Sequence, residues 1–469
     1  MTGWRHSVRG GSGVSGVHDV VVLGAGSGGY AAALRASQLG LSVSLIERDL
    51  LGGTCLHRGC IPTKALLHAG EVADTVREAG HLGIDASLGG IDMPRVNGYK
   101  DAVVGRLYKG LQGLIKHRGV TYVAGTGRLT SPTAVTVGDA VHEGRALVLA
   151  TGSYPRTLPG LSIDGERIIT SEHALALDRV PARAIVLGGG VIGVEFASIW
   201  TSLGAEVTIV EALDRLLPTD DEAISKGMER AYRKRGIATR LGIRVASAAA
   251  TDTGVSVTLD DGTELTADLL LVAVGRGAAT TGLGFEEAGL RMDGPLVAVD
   301  DRLRTNLPNV YAVGDIVRGP QLAHKGFAEG IAVAEQIAGR NPAPIDLAGI
   351  PRVTYSEPEA ASVGLTEAQA RQTYGQVRTI TYDLAGNGKS QILRTSGFVK
   401  LIAREDGPIV GVHLLGSRVG ELLAEAQLMY AWEASPEDVA PLLHAHPTMS
   451  ESMGEAAMAL AGAPLHAHG

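Results

Sequence analysis

The strongest constraint on how this chain folds is a pattern it uses twice. Residues 19–23 form a short apolar run, followed by Gly24-Ala25-Gly26-Ser27-Gly28-Gly29, an Ala/Leu-rich stretch to about Leu39, a second apolar run over 41–46, and Glu47. Residues 183–187 are likewise followed by Gly188-Gly189-Gly190-Val191-Ile192-Gly193, an apolar stretch, a run over 206–210 and Glu211. In each copy the acid lies 23 residues after the first glycine. A strand, a glycine turn, a helix and a second strand ending in an acid make up the dinucleotide-binding βαβ unit. The first glycine (Gly24, Gly188) permits the tight turn, and the second (Gly26, Gly190) lets a pyrophosphate reach the backbone. The third (Gly29, Gly193) lets helix and strand pack closely, and the acid (Glu47, Glu211) accepts hydrogen bonds from a ribose. One such motif among 64 glycines is weak evidence. Two copies with equal spacing predict an α/β fold with two Rossmann-like dinucleotide-binding domains. The competing reading, two glycine-rich turns in an ordinary α/β protein, leaves the matched acids to chance.

The only two cysteines, Cys55 and Cys60, are separated by Leu56-His57-Arg58-Gly59 and followed by Ile61-Pro62. A structural disulfide stabilises mainly by closing a long loop of the unfolded chain, and this loop is very short. Pro62 suits the first turn of a helix, so Cys60 is expected at a helix N-terminus, where the dipole and unpaired N–H groups favour a thiolate. The pair therefore reads as reactive. The competing readings are half a zinc site completed by His57 and His68, or two inert core thiols. Closed zinc sites usually show paired ligand spacings, which are absent here.

A chain of 469 residues that is 45% hydrophobic suggests several domains with ample cores. No apolar run reaches the length of a membrane span. The first eighteen residues are rich in Gly and Ser, lack the apolar core of a signal peptide, and read as a flexible tail. A reducing, cytoplasmic setting is expected, where a cysteine pair is more often catalytic or metal-binding than structural. The net charge of −8 gives no support for nucleic acid as a partner.

Between the two motifs, 71–117 reads as helical and 121–141 as short strands. Residues 146–152 form a buried strand running into a glycine turn at Thr151-Gly152, and 269–275 repeat that pattern, ending at Gly275. Val310-Tyr311-Ala312-Val313-Gly314-Asp315 is a strand ending in a carboxylate, by itself an ordinary turn aspartate. A helix is predicted over 322–338, a new segment from Ile350 that ends in Pro358-Glu359-Ala360-Ala361-Ser362-Val363-Gly364, strands over 397–403 and 409–415, and helices from about Val419 and Pro436. Near the end, His446-Pro447-Thr448-Met449-Ser450-Glu451 sets a carboxylate five residues after an imidazole. An imidazole can take and return a thiol proton near neutral pH, and a carboxylate fixes its tautomer. Two bland readings compete: a surface helix start, and a metal site from His444, His446, His466 and His468. No metal site is expected.

Taken together, Gly52-Gly53-Thr54-Cys55 through Cys60-Ile61-Pro62-Thr63-Lys64, the two glycine motifs, Gly314-Asp315 and His446-Pro447…Glu451 resemble, in the same order, the pyridine nucleotide-disulfide oxidoreductases. That family includes dihydrolipoamide dehydrogenase, glutathione reductase and mercuric reductase. The resemblance covers about 18–460. It implies FAD on Gly24, Gly26, Gly29, Glu47, Lys64, Thr151, Gly152, Gly314, Asp315 and Ala323. It implies NAD on Gly188, Gly190, Gly193, Glu195, Glu211 and Gly275. Cys55 would be the outer sulfur, Cys60 the one facing the flavin, His446 the acid–base partner and Glu451 its orienter. The implied domains are a tail over 1–17, an FAD-binding domain over 18–155 and 278–348, an NAD-binding domain over 156–277, and a C-terminal α+β dimerisation domain over 349–469.

Within the family the lipoamide enzymes are the nearest in motif. An extra C-terminal cysteine pair, needed by mercuric reductases, is absent, and Glu211 would repel the 2′-phosphate of NADP. A homodimer acting on dihydrolipoyl groups, small or protein-bound, beside the acyltransferase of a 2-oxoacid dehydrogenase complex is expected. The alternative is an NAD(P)H-dependent reductase of another low-molecular-weight disulfide. Three departures touch the substrate approach and the nicotinamide pocket. His57-Arg58 stands where many members have Asn-Val, Gly388-Lys389 where lipoamide enzymes often have an Arg, and Val191 where several have an aromatic gate.

Overall fold

The computed structural model describes residues 15–466. The chain divides into two compact units: residues up to Cys60 with Val104–Tyr154 and Gly277–Ile345, and Ile61–Val103 with Pro155–Arg276 and Asp346 onward.

The first unit is built on a parallel sheet ordered Thr121–Ala124, Val43–Glu47, Ser15–Leu23, Ala140–Leu149, Val310–Ala312, with two antiparallel strands, Ala134–Val137 and Gly127–Ser131, added to the start of Ala140–Leu149. Alternate residues of the central strands feed two separate cores. Val20, Val22, Leu45 and Val148 lie in one, Val21, Leu23, Leu147 and Leu149 in the other. A sheet covered on both faces explains why these strands read as unbroken apolar runs rather than alternating ones. Helices Ser27–Gln38 and Ala323–Ile337 cross closely on one face: a Cβ on Gly330 would come within 2.2 Å of the Gly28 carbonyl oxygen.

The second unit repeats the plan. Its parallel sheet runs Ala238–Leu241, Glu206–Glu211, Arg183–Leu187, Leu269–Val272, Ile168–Thr170, again with a core on each face. A five-stranded antiparallel sheet follows in the order Arg352–Thr354, Glu359–Gly364, Ile409–Gly416, Phe398–Arg404, Val377–Asp383. Helices Val419–Ala431 and Glu451–Leu460 pack on it. Phe398 and Leu415 of this sheet join the core of the parallel sheet, and they pack closely on Gly227, where a Cβ would lie 2.4 Å from the Leu415 side chain.

Several expectations are corrected. The helical stretch 71–117 is two helices, Cys60–Glu78 and Met93–His117. Between them Gly83 and Gly90 adopt positive φ, +75° and +152°, which ends regular helix. The helix from Pro436 is a single turn, Pro436–Val439, stopped ahead of Pro441. Residues 15–17 are not tail but the start of the first strand, with Ser15 paired to His142; the rest of the expected tail lies outside the described residues. Unforeseen were the short helix Gly53–Arg58 and the strand Val377–Asp383, while the helix Glu451–Leu460 begins where a surface helix start had been weighed.

Candidate active site

The redox turn is two helices end to end. Gly53–Arg58 carries Cys55, Gly59 caps it in a non-helical conformation, and Cys60 opens the nineteen-residue helix Cys60–Glu78 with Pro62 in its first turn. Cys60 thus sits at the helix N-terminus that Pro62 signalled, and both cysteines are half-buried. Gly52, at φ +105°, donates its N–H to the Ala25 carbonyl. A Cβ on Gly53 would lie 2.7 Å from Gly26 Cα, so the redox turn is stacked on the first glycine motif. The zinc reading is not met: His57 Nε2 is on the Leu51 carbonyl and His68 Nδ1 on Glu71, 2.9 Å in each case. Among the described residues no group of three or more His, Cys, Asp or Glu is arranged to hold a metal.

The two cradles are near duplicates. Gly24 and Gly188 have φ of +101° and +114°, and a Cβ on either would lie 2.2 or 2.4 Å from a carbonyl oxygen of the neighbouring strand, at Ala150 or Ala273. Only glycine meets both demands. A Cβ on Gly29 or Gly193 would fall 1.8 or 1.9 Å from the carbonyl oxygen of that first glycine. Glu47 accepts from the N–H of Ala25 at 2.6 Å and of Asp49 at 2.9 Å. Glu211 accepts from Gly189 at 2.6 Å and Leu213 at 2.8 Å. At Gly26 and Gly190, which cap helices Ser27–Gln38 and Val191–Leu203, a Cβ would meet nothing within 4 Å, and no side chain caps either helix. Unclaimed N–H groups under open space fit a pyrophosphate.

Other side chains group by unit. In the first, Thr151 Oγ1 donates to the Ala279 carbonyl at 2.7 Å, and Ser153 Oγ donates to Asp315. Gly314 is pinned by an ion pair missed from sequence: Lys325 and Glu329, 2.8 Å apart and almost wholly buried, bond its carbonyl and its N–H. Burial pushes the Glu329 carboxyl up, against the pull of Lys325. Ala323 opens the helix that carries both. In the second unit, Lys64 Nζ lies 2.8 Å from both oxygens of Glu195, which also accepts from the Tyr355 N–H. The Tyr355 ring lies under the Lys64 ammonium, 4.8 Å from its centroid. Gly275, at φ +102°, accepts from the Arg156 N–H through its carbonyl.

His446 Nδ1 lies 2.7 Å from Glu451 Oε1, and Glu451 Oε2 accepts from the Thr448 N–H at 2.7 Å. Burial alone would raise the Glu451 carboxyl; the Thr448 N–H and His446 outweigh it and hold it below the usual range. The His446 side chain is 78% exposed. The His446–Pro447 peptide is cis. Two supports of this loop escaped the sequence reading. Asn387 Nδ2 donates to the Thr448 carbonyl, and His444 pairs with Glu425 at 2.7 Å, its ring seated where a Cβ on Gly454 would clash at 2.6 Å. Of the other two histidines weighed as metal ligands, His466 pairs with Glu455 and His468 lies outside the described residues.

Comparison with known families places the whole chain. The family model described as pyridine nucleotide-disulphide oxidoreductase matches residues 18–330, and that of the same family's dimerisation domain matches 350–457. The chain belongs to the pyridine nucleotide-disulphide oxidoreductases. Relatives in this family include a dihydrolipoyl dehydrogenase of Bacillus subtilis, 40% identical over 96% of this chain and 99% of its own length. A leghemoglobin reductase of Glycine max is 39% identical over 100% of this chain and 91% of its own. Among solved structures, LpdA from Mycobacterium tuberculosis superposes with a TM-score of 0.88 at 29% identity, covering 94% of this chain and 99% of that one. No helix among the described residues is long and apolar enough to cross a membrane.

Proposed function

We propose that this oxidoreductase is an FAD-dependent dihydrolipoyl dehydrogenase, oxidising dihydrolipoyl groups with NAD+. The observation that carries the reading is the stacking of the Cys55–Cys60 turn directly on the first dinucleotide cradle, Gly53 against Gly26. The B. subtilis relative, matched over almost its whole length, supports the substrate.

In this reading a substrate thiolate attacks Cys55 Sγ, the Cys55–Cys60 bond breaks and Cys60 leaves as a thiolate. The second substrate sulfur then displaces Cys55 from the mixed disulfide. His446 Nε2 takes the thiol proton, and Glu451 on Nδ1 holds the ring in the tautomer that can do so. Bound FAD supplies the two-electron and hydride chemistry that links the dithiol to NAD+. The overall change is loss of two electrons and two protons by the substrate, gain of hydride by NAD+, and release of one proton. Gly24, Gly26, Gly29, Glu47, Thr151, Gly152, Gly314, Asp315 and Ala323 bind the first dinucleotide, with Lys64 paired to Glu195 serving the flavin. Gly188, Gly190, Gly193, Glu211 and Gly275 bind NAD, and Glu211 orients the ribose hydroxyls.

The protein acts as a cytoplasmic homodimer in which Cys55 is served by the partner subunit's His446, beside the acyltransferase of a 2-oxoacid dehydrogenase complex. Leu443, fully exposed, and Leu442 flank His444 and His446 in the segment matched by the dimerisation model. The domains follow the boundaries given above.

The test is turnover of NAD+ with dihydrolipoamide against other dithiols, and of NADP+ in place of NAD+. Dihydrolipoamide should be the best dithiol, with NAD+ preferred by at least about tenfold, about 1.4 kcal/mol. Faster turnover of another low-molecular-weight disulfide with NADPH would replace this reading by the reductase one.

A further inference from the structure

His57 and Arg58 lie between the two cysteines, and the chemistry above uses neither. His57 Nε2 lies 2.9 Å from the Leu51 carbonyl, which can only accept, so Nε2 carries a hydrogen. The imidazole also stands nearly perpendicular to the Tyr108 ring, centroids 4.9 Å apart. Arg58 Nη1 lies 2.5 Å from Asp49 Oδ2. Tyr108 keeps its phenol proton above the usual range, through burial and then the charge of Asp49, so its ring remains a neutral partner.

Both anchor points, Asp49 and Leu51, lie on the loop that follows the first ribose acid. That loop is tied to the first glycine turn at each end. Ala25 and Asp49 both donate to Glu47, and Gly52 donates to the Ala25 carbonyl. On a helix, residues two apart do not face one another, so His57 is not a proton acceptor for Cys55. Its influence passes through the helix that carries both.

We propose that His57 and Arg58 are positioning residues that clamp the Cys55 helix to the 47–51 loop, so that Cys55 reactivity and the hold on the first dinucleotide are set together. The inference rests on the reading that this cradle takes FAD and that Cys55 is the attacked sulfur. Where many members carry Asn-Val, this chain carries two side chains with anchors of their own.

The experiment uses reduced holoenzyme. Alkylation of Cys55 and Cys60 by iodoacetamide is followed by peptide mass mapping, and flavin release by the rise of its fluorescence on dilution. His57→Phe keeps the ring contact but removes the donor to Leu51. Both rates should rise about fivefold, about 1 kcal/mol at 1.4 kcal/mol per tenfold. Arg58→Val should move both in the same direction. His57→Gln, whose amide N–H reaches the same carbonyl, should stay within about twofold of the parent. NAD+ binding at the second cradle should be unchanged throughout. The proposal is overturned if His57→Phe changes neither rate or only one, if His57→Gln behaves like His57→Phe, or if NAD+ binding weakens in step. A parent protein without flavin would sink the functional reading instead; the alkylation rates would still decide whether His57 holds the Cys55 helix.

Discussion

His413 illustrates what a single buried side chain can do to this protein. Its ring is buried, with Nε2 on the Leu365 carbonyl and Nδ1 without a hydrogen-bond partner. Burial holds its pKa below the ordinary value; Asp221 pulls the other way, while Lys400 and Arg352 add to the lowering. The unfolded ring takes a proton below about pH 6.5 and the folded one does not. Stability should therefore be fully present above about pH 6.5, and should fall by up to about 1.4 kcal/mol per pH unit as the pH drops toward the folded pKa. Urea midpoints of the parent and of His413→Gln between pH 7.5 and 5 check this. The difference in slope isolates the ring from Asp220, whose carboxyl burial pushes up. Parallel curves would dismiss it. The places of Glu47 and Glu211 at the ends of their strands could be read from sequence because motif spacing is local. His413, Lys400 and the Lys325–Glu329 pair could not. Lys400 meets Asp221 179 residues away, and nothing near Lys325 marks it as buried.

At the level of elements, the strand–glycine–helix units were legible almost to the residue: Arg183–Leu187 and Glu206–Glu211 begin where the pattern places them. Their signal is a conjunction of apolar runs, glycines forced by carbonyl contact and an acid. Gly53–Arg58 was not legible, because six residues, with one glycine at positive φ before them and another as the first, carry no helical periodicity; packing on Gly26 holds it. The break after residue 78 was marked by Gly80, Gly83, Gly89, Gly90 and Pro94, but the helical composition on both sides obscured it. These close contacts give a selective lesion. Gly193→Ala should weaken NAD+ binding by more than about tenfold, since its Cβ must displace the turn from Gly188, while flavin stays bound. Quenching of protein fluorescence by NADH, beside the flavin absorbance of the same sample, reads both. Equal loss of the two would mean that the helix has shifted as a whole.

For the molecule as a whole, order along the chain was informative because each motif announces its own cradle, but tertiary pairing was not. Nothing local in sequence says that Tyr355 seats Lys64 or that Phe398 and Leu415 complete the core of the second parallel sheet. The proposed shared active site is checked by complementation. Cys55→Ser and His446→Ala homodimers should each be nearly inactive with dithiols, and refolding them together should restore about a quarter of parental activity, since random pairing makes half the dimers mixed with one intact site of two. Demonstrable heterodimers with no gain would show that one subunit supplies both groups. The duplicated cradles carry one more implication, which is a matter of stoichiometry. Glu47 and Glu211 make the same pair of N–H contacts to within about 0.1 Å, so the ribose acids give neither cradle a means to tell one adenosine half from another. Protein stripped of flavin should therefore titrate with two equivalents of ADP-ribose per chain, and the intact flavoprotein with one.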